Sequence, residues 1–338
     1  MCRSVFSWTA IISSHSSSGH GHEALRLHKC MLQDGVEPNN YTYVALFKAC
    51  GSMEDVSEGM RFHMEASKKG YTSDVYVGSS LVSMYGKCDA TVEAEKAFGN
   101  IQNPNVVSWN AMLSVYIENG QGEEALSLYR QMQEENVSFD QLTLVISLRA
   151  CGIIAICDEK DAKKGQLAME IGQGLHVDAH RKGYTSLCIV GNTLISMYGK
   201  CNALVEAEYA FDRLCHRTLV SWNAMFSTYV DCGHGKRALQ LLKKMQEDGI
   251  MPDAVTFLIC FRACKALLEE ESLIKKQTVV AIGQALHKDA SRMGYLTNVF
   301  VANALLIFYS KCGEIVEAET IFHSLAWHSN IVSWVAMI

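Results

Sequence analysis

The sequence repeats itself. Four of its five tryptophans, Trp8, Trp109, Trp222 and Trp334, lie 101, 113 and 112 residues apart, each inside one phrase: SWTAI from 7, SWNAM from 108 and 221, SWVAM from 333. Between them MYGKC begins at 84 and 197 and FYSKC at 308. VEAE follows at 92, 205 and 316, and a KAC or RAC ends at Cys50, Cys151 and Cys264. A repeat too small to bury its own apolar face must stack on its neighbours, so periodicity of this kind selects an array rather than a globule.

Each superrepeat holds three units. The first kind occupies 5–39, 106–140 and 219–253; the second 40–74, 141–187 and 254–298; the third, shorter kind 75–105, 188–218 and 299–330. Residues 1–4 read as the tail of a preceding unit, and 331–338 as the start of a tenth. On this reading the chain is a partial array.

Every unit carries two apolar stripes at helical spacing. Trp109, Met112, Leu113 and Tyr116 fall at i, i+3, i+4 and i+7, as do Ala125, Leu128, Tyr129 and Met132. A Gly-x-Gly separates the stripes at Gly19/Gly21, Gly120/Gly122 and Gly233/Gly235, where glycine past a helix end supplies a left-handed cap. No stretch alternates with period two for long enough to argue a sheet. The expectation is an all-α fold, a right-handed α-solenoid of helical hairpins with a continuous groove. Two second-kind units carry surplus polar residues, roughly 157–168 and 269–278, between their two helices. They are expected to extend a surface or prolong a helix.

Composition narrows the function. Hydrophobic residues make up 49% of the chain and charged ones 20%, which suits a large core. The most apolar stretch, Val255 to Leu268, is interrupted by Arg262 and Lys265, so no membrane span is expected. The net charge of −6 runs against the usual basic signature of nucleic-acid binders, and phosphate attraction must be weak or local. Thirteen cysteines with no C-x-x-C read as reduced thiols, six of them small buried groups at equivalent points of the repeat, and not as a disulfide framework or a zinc site. His63-Met64-Glu65 is the first half of a deaminase zinc signature whose P-C-x-x-C half is missing, so His63 reads as structural. No Walker or dinucleotide motif is present. No metal, nucleotide cofactor, small-molecule substrate or catalytic residue is expected.

The phrases VVSWNAM…NGQGEEALSLYRQM, TYVALFKACGSMEDVSEG and VYVGSSLVSMYGKCDATVEAEKAF, in three successive triplets, resemble the pentatricopeptide repeat family, in particular its plant subclass of alternating long and short units. The resemblance covers essentially the whole chain. It implies binding of single-stranded RNA, one base per unit, with editing-complex proteins as further partners and the mitochondrion or chloroplast as the compartment. It also implies specification of sites for organellar RNA processing such as C-to-U editing. The rival reading is a helical-repeat scaffold for a protein partner.

In that family the fifth residue of a unit and its last residue contact one base together. Carried over, the resemblance assigns Thr9 with Asn39, Asn110 with Asp140 and Asn223 with Asp253 in the first-kind units. In the short units it assigns Ser79 with Asn105, Asn192 with Thr218 and Asn303 with Asn330. The second-kind units put Val44, Val145 and Leu258 in the fifth place and are expected to read poorly. The family's rule then implies A-x-A-U-x-C-U-x-Y, with the 5′ end toward the N-terminus. The same residue types are common helix caps, so capping competes with base reading as their explanation.

Overall fold

The computed structural model describes residues 4–157, 162–270, 273–324 and Trp334. Among these the chain is all-helical, with no strand, as the periodicity predicts.

It divides into two compact units, one up to Asp158 and one from Glu159. The first contains α1 (Val5–Ser17), α2 (Gly21–Gln33), α3 (Asn40–Met53), α4 (Val56–Lys68), α5 (Val75–Lys87), α6 (Thr91–Gly99), α7 (Val106–Glu118), α8 (Gly122–Glu134) and α9 (Gln141–Cys157). The second contains α10 (Ala162–Arg181), α11 (Cys188–Lys200), α12 (Leu204–Asp212), α13 (Leu219–Asp231), α14 (Gly235–Glu247), α15 (Ala254–Glu270), α16 (Leu273–Arg292), α17 (Val299–Cys312) and α18 (Ile315–Ser324). The division falls inside the sequence repeat 141–187, at its surplus residues.

In the first unit the odd-numbered helices pack successively on one another as an inner row. Each even-numbered helix packs on the inner helix before it and the one after. In the second unit α11, α13, α15 and α17 form the same kind of row, with α12, α14 and α16 each bridging two of its members. This is the stacked-hairpin arrangement expected of the repeats.

Unit length translates directly into helix length. The outer helices of 35-residue units, α2, α4, α8 and α14, have 13 residues, while α6 and α12 of the 31-residue units have 9. The surplus residues of the second-kind units lengthen helices: α9 and α15 reach 17 residues against 14 in α3, and α10 and α16 reach 20 against 13 in α4. The expectation of a prolonged helix is met on both sides of the inserted sequence.

The recurring words are packing contacts. Trp109 and Trp222 are at most 1% exposed and meet the rings of Phe98 and Phe211 edge-on at 5.0 and 5.1 Å; Phe322 meets Trp334 in the same way at 4.9 Å. The phenylalanine after VEAE thus seats the tryptophan of the next unit. Each buried tryptophan removes roughly 150–250 Å² from water, on the order of 4–6 kcal/mol.

The two glycines of each Gly-x-Gly do different work. Gly120 and Gly233 adopt φ of +70° and +75°, the left-handed turn expected of them. Gly122 and Gly235 instead open α8 and α14 against the next inner helix. A Cβ there would lie 2.9 Å from the Ala150 carbonyl oxygen and 3.0 Å from that of Ala263. Those alanines belong to the RAC words, so two sequence motifs mark the two sides of one close helix approach.

His63 is explained by the same kind of pairing. Its Nδ1 lies 2.8 Å from the Tyr85 hydroxyl, and His176–Tyr198 and His287–Tyr309 repeat the bond at 2.8 and 2.9 Å. Burial lowers the basicity of all three rings, which favours their neutral form. Cys50, Cys151, Cys260 and Cys264 are buried. Burial pushes the thiols of Cys50 and Cys264 up to about 12, so they persist as thiols at neutral pH.

Candidate nucleic-acid interface

The fifth residue of each unit lies on an inner helix, one helical turn from its start. In five of the six assigned pairs the last residue caps the inner helix of the following unit, five residues before that unit's own fifth place. Asn39 caps α3, Asn105 caps α7 and Thr218 caps α13 through side-chain acceptors. Asp140 and Asp253 accept the Thr143 and Thr256 amides at 2.9 and 2.8 Å and so cap α9 and α15. Capping is therefore real at all five places, and the question is whether these side chains also meet their fifth-place partners.

In the two Asn–Asp units they do so directly. Asn110 Nδ2 donates to Asp140 Oδ1 at 3.0 Å, and Asn223 Nδ2 donates to Asp253 Oδ1 at 3.1 Å. A third group joins each pair: the hydroxyl of Thr143 lies 2.7 Å from Asn110 Oδ1 and 2.9 Å from Asp140 Oδ1. Thr256 stands 2.8 Å from both Asn223 Oδ1 and Asp253 Oδ1. Those of these bonds that reach an aspartate all fall on its Oδ1, and Oδ2 accepts none of them. Burial works against the charge of Asp140. The Thr143 amide, the Asn110 amide and the Thr143 hydroxyl outweigh it and hold the carboxyl below its ordinary range. Asp253 is held down in the same way by Thr256 and Asn223.

Two further assigned pairs meet through the third group alone. Thr9 Oγ1 lies 2.7 Å from Thr42 Oγ1, which donates to Asn39 Oδ1 at 2.9 Å. Ser79 Oγ lies 2.9 Å from Ser108 Oγ, which reaches Asn105 Oδ1 at 3.4 Å. The structure does not join Asn192 to Thr218. Thr218 pairs with Ser221 at 3.1 Å, and Asn192 Oδ1 is buried without a hydrogen-bond partner among the described residues. Asn303 is 5% exposed on α17, and Asn330 lies outside the described residues.

Four assigned residues line one groove of the first unit. It has a volume of about 560 Å³ and brings Ser79, Asn105, Asn110 and Asp140 together with Tyr76, Val107 and Leu142. Lys48, Lys87 and the acidic Glu118 also line it. Lys87 recurs as Lys200 and Lys311 in the last turns of α11 and α17, which supplies local cations in a chain of net charge −6.

Sequence reasoning missed two sets of residues. The first is the second residue of every complete unit. From Phe6 and Tyr41 to Val255 and Phe300, all nine are large apolar side chains between 49% and 73% exposed. A recurring exposed apolar side chain near the start of an inner helix is a platform on which a planar ring can stack. The second set is the hydroxyls Thr42, Ser108, Thr143, Ser221 and Thr256, all fully buried. Their signal was legible: each stands three residues after an assigned last residue.

Comparison with known proteins settles the family. The PPR repeat family matches residues 3–52, 104–152 and 217–266, and the PPR repeat matches 192–218 and 300–327, together more than half of the chain. The chain belongs to the pentatricopeptide repeat family. A chloroplastic pentatricopeptide repeat-containing protein of Arabidopsis thaliana is 34% identical over 336 residues, 99% of this chain and 51% of the relative. A mitochondrial one from the same plant is 30% identical over 335 residues, 99% of this chain and 30% of the relative. Among solved structures, the pentatricopeptide repeat protein PPR10 from maize aligns with a TM-score of 0.47 at 17% identity, over 99% of this chain and 56% of that one. The chain thus spans about half the length, or less, of the relatives it matches in the family. Among the described residues no helix is long and apolar enough to cross a membrane.

Proposed function

We propose that this chain binds single-stranded RNA and reads selected bases, one per polar unit, from the inner helices. The observation that carries the reading is the recurrence of one arrangement, an asparagine amide bonded to an aspartate, at Asn110–Asp140 and Asn223–Asp253. The exposed apolar residue at the second place supports it as a stacking surface.

The chemistry favours uracil at these two pairs. A carboxylate accepts the N3–H of uracil, and the second Nδ2 proton of the asparagine can meet a uracil carbonyl. Cytosine presents a lone pair at N3, which the carboxylate repels. Such a contact discriminates by about 1–3 kcal/mol, on the scale of a good bidentate base contact. Thr9 with Asn39 and Ser79 with Asn105 carry no such charge and are assigned to adenine; Asn192 with Thr218 to cytosine; Asn303 with Asn330 to a pyrimidine. Val44, Val145 and Leu258 offer no hydrogen bond and serve as spacers.

The cellular role follows as part of the same proposal: a specificity array, not an enzyme, that marks sites for organellar RNA processing such as C-to-U editing. Alternation of long and short units supports the subclass, and the chloroplastic and mitochondrial names of the relatives support the compartment. Selection from a randomised RNA pool on the purified chain tests it. Enrichment of A-x-A-U-x-C-U-x-Y supports the reading, and a recovered pool with no base preference opposite the two Asn–Asp units rejects it.

A further inference from the structure

We propose that Thr143 and Thr256 are specificity-determining positioning residues: each fixes which atoms of the neighbouring asparagine face the base. The inference rests on the base-reading function above.

The first argument is register. Where the fifth residue is polar, the third residue of the next unit is a hydroxyl: Thr42, Ser108, Thr143, Ser221 and Thr256, with Ser333 completing the set in the sequence. Where the fifth residue is Val44, Val145 or Leu258, the corresponding residue is Val77, Val190 or Val301.

Capping does not account for this split. Asp74 caps α5 by accepting the amides of Tyr76 and Val77 at 3.0 Å each, and Asn298 caps α17 from Phe300 and Val301 at 3.0 and 3.3 Å. Both caps form with valine in the third place. The hydroxyls of Thr143 and Thr256 do accept the Asp140 and Asp253 amides at 3.3 and 3.2 Å, but a cap forms without that bond, and the hydroxyl occurs only where the fifth residue is polar.

Proton accounting gives it a task. Oδ1 of Asp140 already receives the Thr143 N–H and the Asn110 Nδ2–H. The single hydroxyl proton of Thr143 is then best donated to Asn110 Oδ1, at 2.7 Å. The amide is held from both ends, with nitrogen toward the carboxylate and oxygen toward the hydroxyl. One Nδ2 proton and one oxygen lone pair are left for a base. Without the hydroxyl, the oxygen of a side chain only 4% exposed loses its donor, and other rotamers compete.

The test measures binding of the purified full chain, at one salt concentration, to its matched RNA and to RNAs carrying a U-to-C change opposite Asn110 or opposite Asn223. Thr143→Val should reduce the uracil preference opposite Asn110 by about fivefold, the scale of one neutral hydrogen bond. It should leave the preference opposite Asn223 intact, with Thr256→Val doing the reverse. Thr143→Ser should retain the parent preference. Thermal melts identify any variant that fails to fold; in that event Thr143→Ala and Thr256→Ala, which avoid a branched side chain, carry the test. Unchanged preference in folded variants, or equal loss at both positions, overturns the proposal. Asn110→Ala separates the two levels. If it too retains uracil preference, base reading itself fails; if it alone loses it, reading stands and the positioning role falls.

Discussion

The amide of Asn110 on α7 donates to Oδ1 of Asp140, thirty residues later and 3.0 Å away. One bond thus ties the interior of one inner helix to the cap of the next, so the residue that caps α9 is also one proposed to read a base. The two roles can be separated by substitution.

Asp140→Ala removes the cap of α9 and the acceptor of Asn110. It should lower stability by about 1 kcal/mol, within the usual 0.5–2 kcal/mol for a lost cap. Asp140→Asn, which keeps an acceptor oxygen, should cost less. Chemical denaturation of the three proteins checks the order. Because the folded carboxyl is held below its unfolded value of 3.8, its contribution is complete above that value and is lost as pH falls through the folded one. Equal stability of all three proteins at neutral pH would count against the geometry.

Two glycines should respond in opposite senses. At Gly122 an added Cβ meets the Ala150 carbonyl and Ile154 Cγ1, both at 2.9 Å, so Gly122→Ala should destabilise by about 1–3 kcal/mol through overpacking. Gly174 is exposed inside α10 with nothing within 4 Å of its Cβ position, and Gly174→Ala should stabilise by up to about 1 kcal/mol through helix propensity. Thermal melts of both variants give the signs directly.

His28, 2% exposed and against the ring of Phe62, supplies a pH prediction. Burial first, then the nearby Arg61, lowers it from 6.5 to about 4. Its folded value lies below its unfolded one, so the associated stability is complete above pH 6.5 and is lost as the pH falls toward 4. The loss is on the order of 3 kcal/mol. His28→Leu should therefore show a smaller drop in melting temperature between pH 7.5 and 4.5 than the parent. The drop will not vanish, because burial also depresses His63, His176 and His287. An unchanged drop would contradict the burial account.

The helices were legible in the sequence because apolar spacing in repeated words leaves little choice: the outer helix of a short unit is shorter by the four residues the unit lacks. The surplus residues near 157 and 269 were legible only as inserted; that they lengthen α9, α10, α15 and α16 depends on packing. The assigned pairs were found by register, yet Asn110–Asp140 is bonded, whereas Asn192 and Thr218 are not joined. Periodicity cannot distinguish these cases, since Ser221 can bond to either partner. The second-place residues were missed because residue type alone does not separate an exposed Phe6 or Val107 from a buried one, and only their exposure sets them apart. The break between the two compact units, at 158–159, has a trace only in the insertion itself.

The most direct test of base reading is to recode one unit. Asn110→Thr together with Asp140→Asn, with Thr143 unchanged, reproduces the Thr9–Thr42–Asn39 set already present in the chain. Binding of parent and variant is measured against two RNAs that differ only by uracil or adenine at that place, at one salt concentration. The preference should move from uracil to adenine by about 1–3 kcal/mol. Overall affinity for the matched RNA should stay level, because phosphate and stacking contacts are untouched. Threonine and asparagine are both acceptable caps, so a purely structural role predicts a folded variant with unchanged base preference. That result would contradict the account.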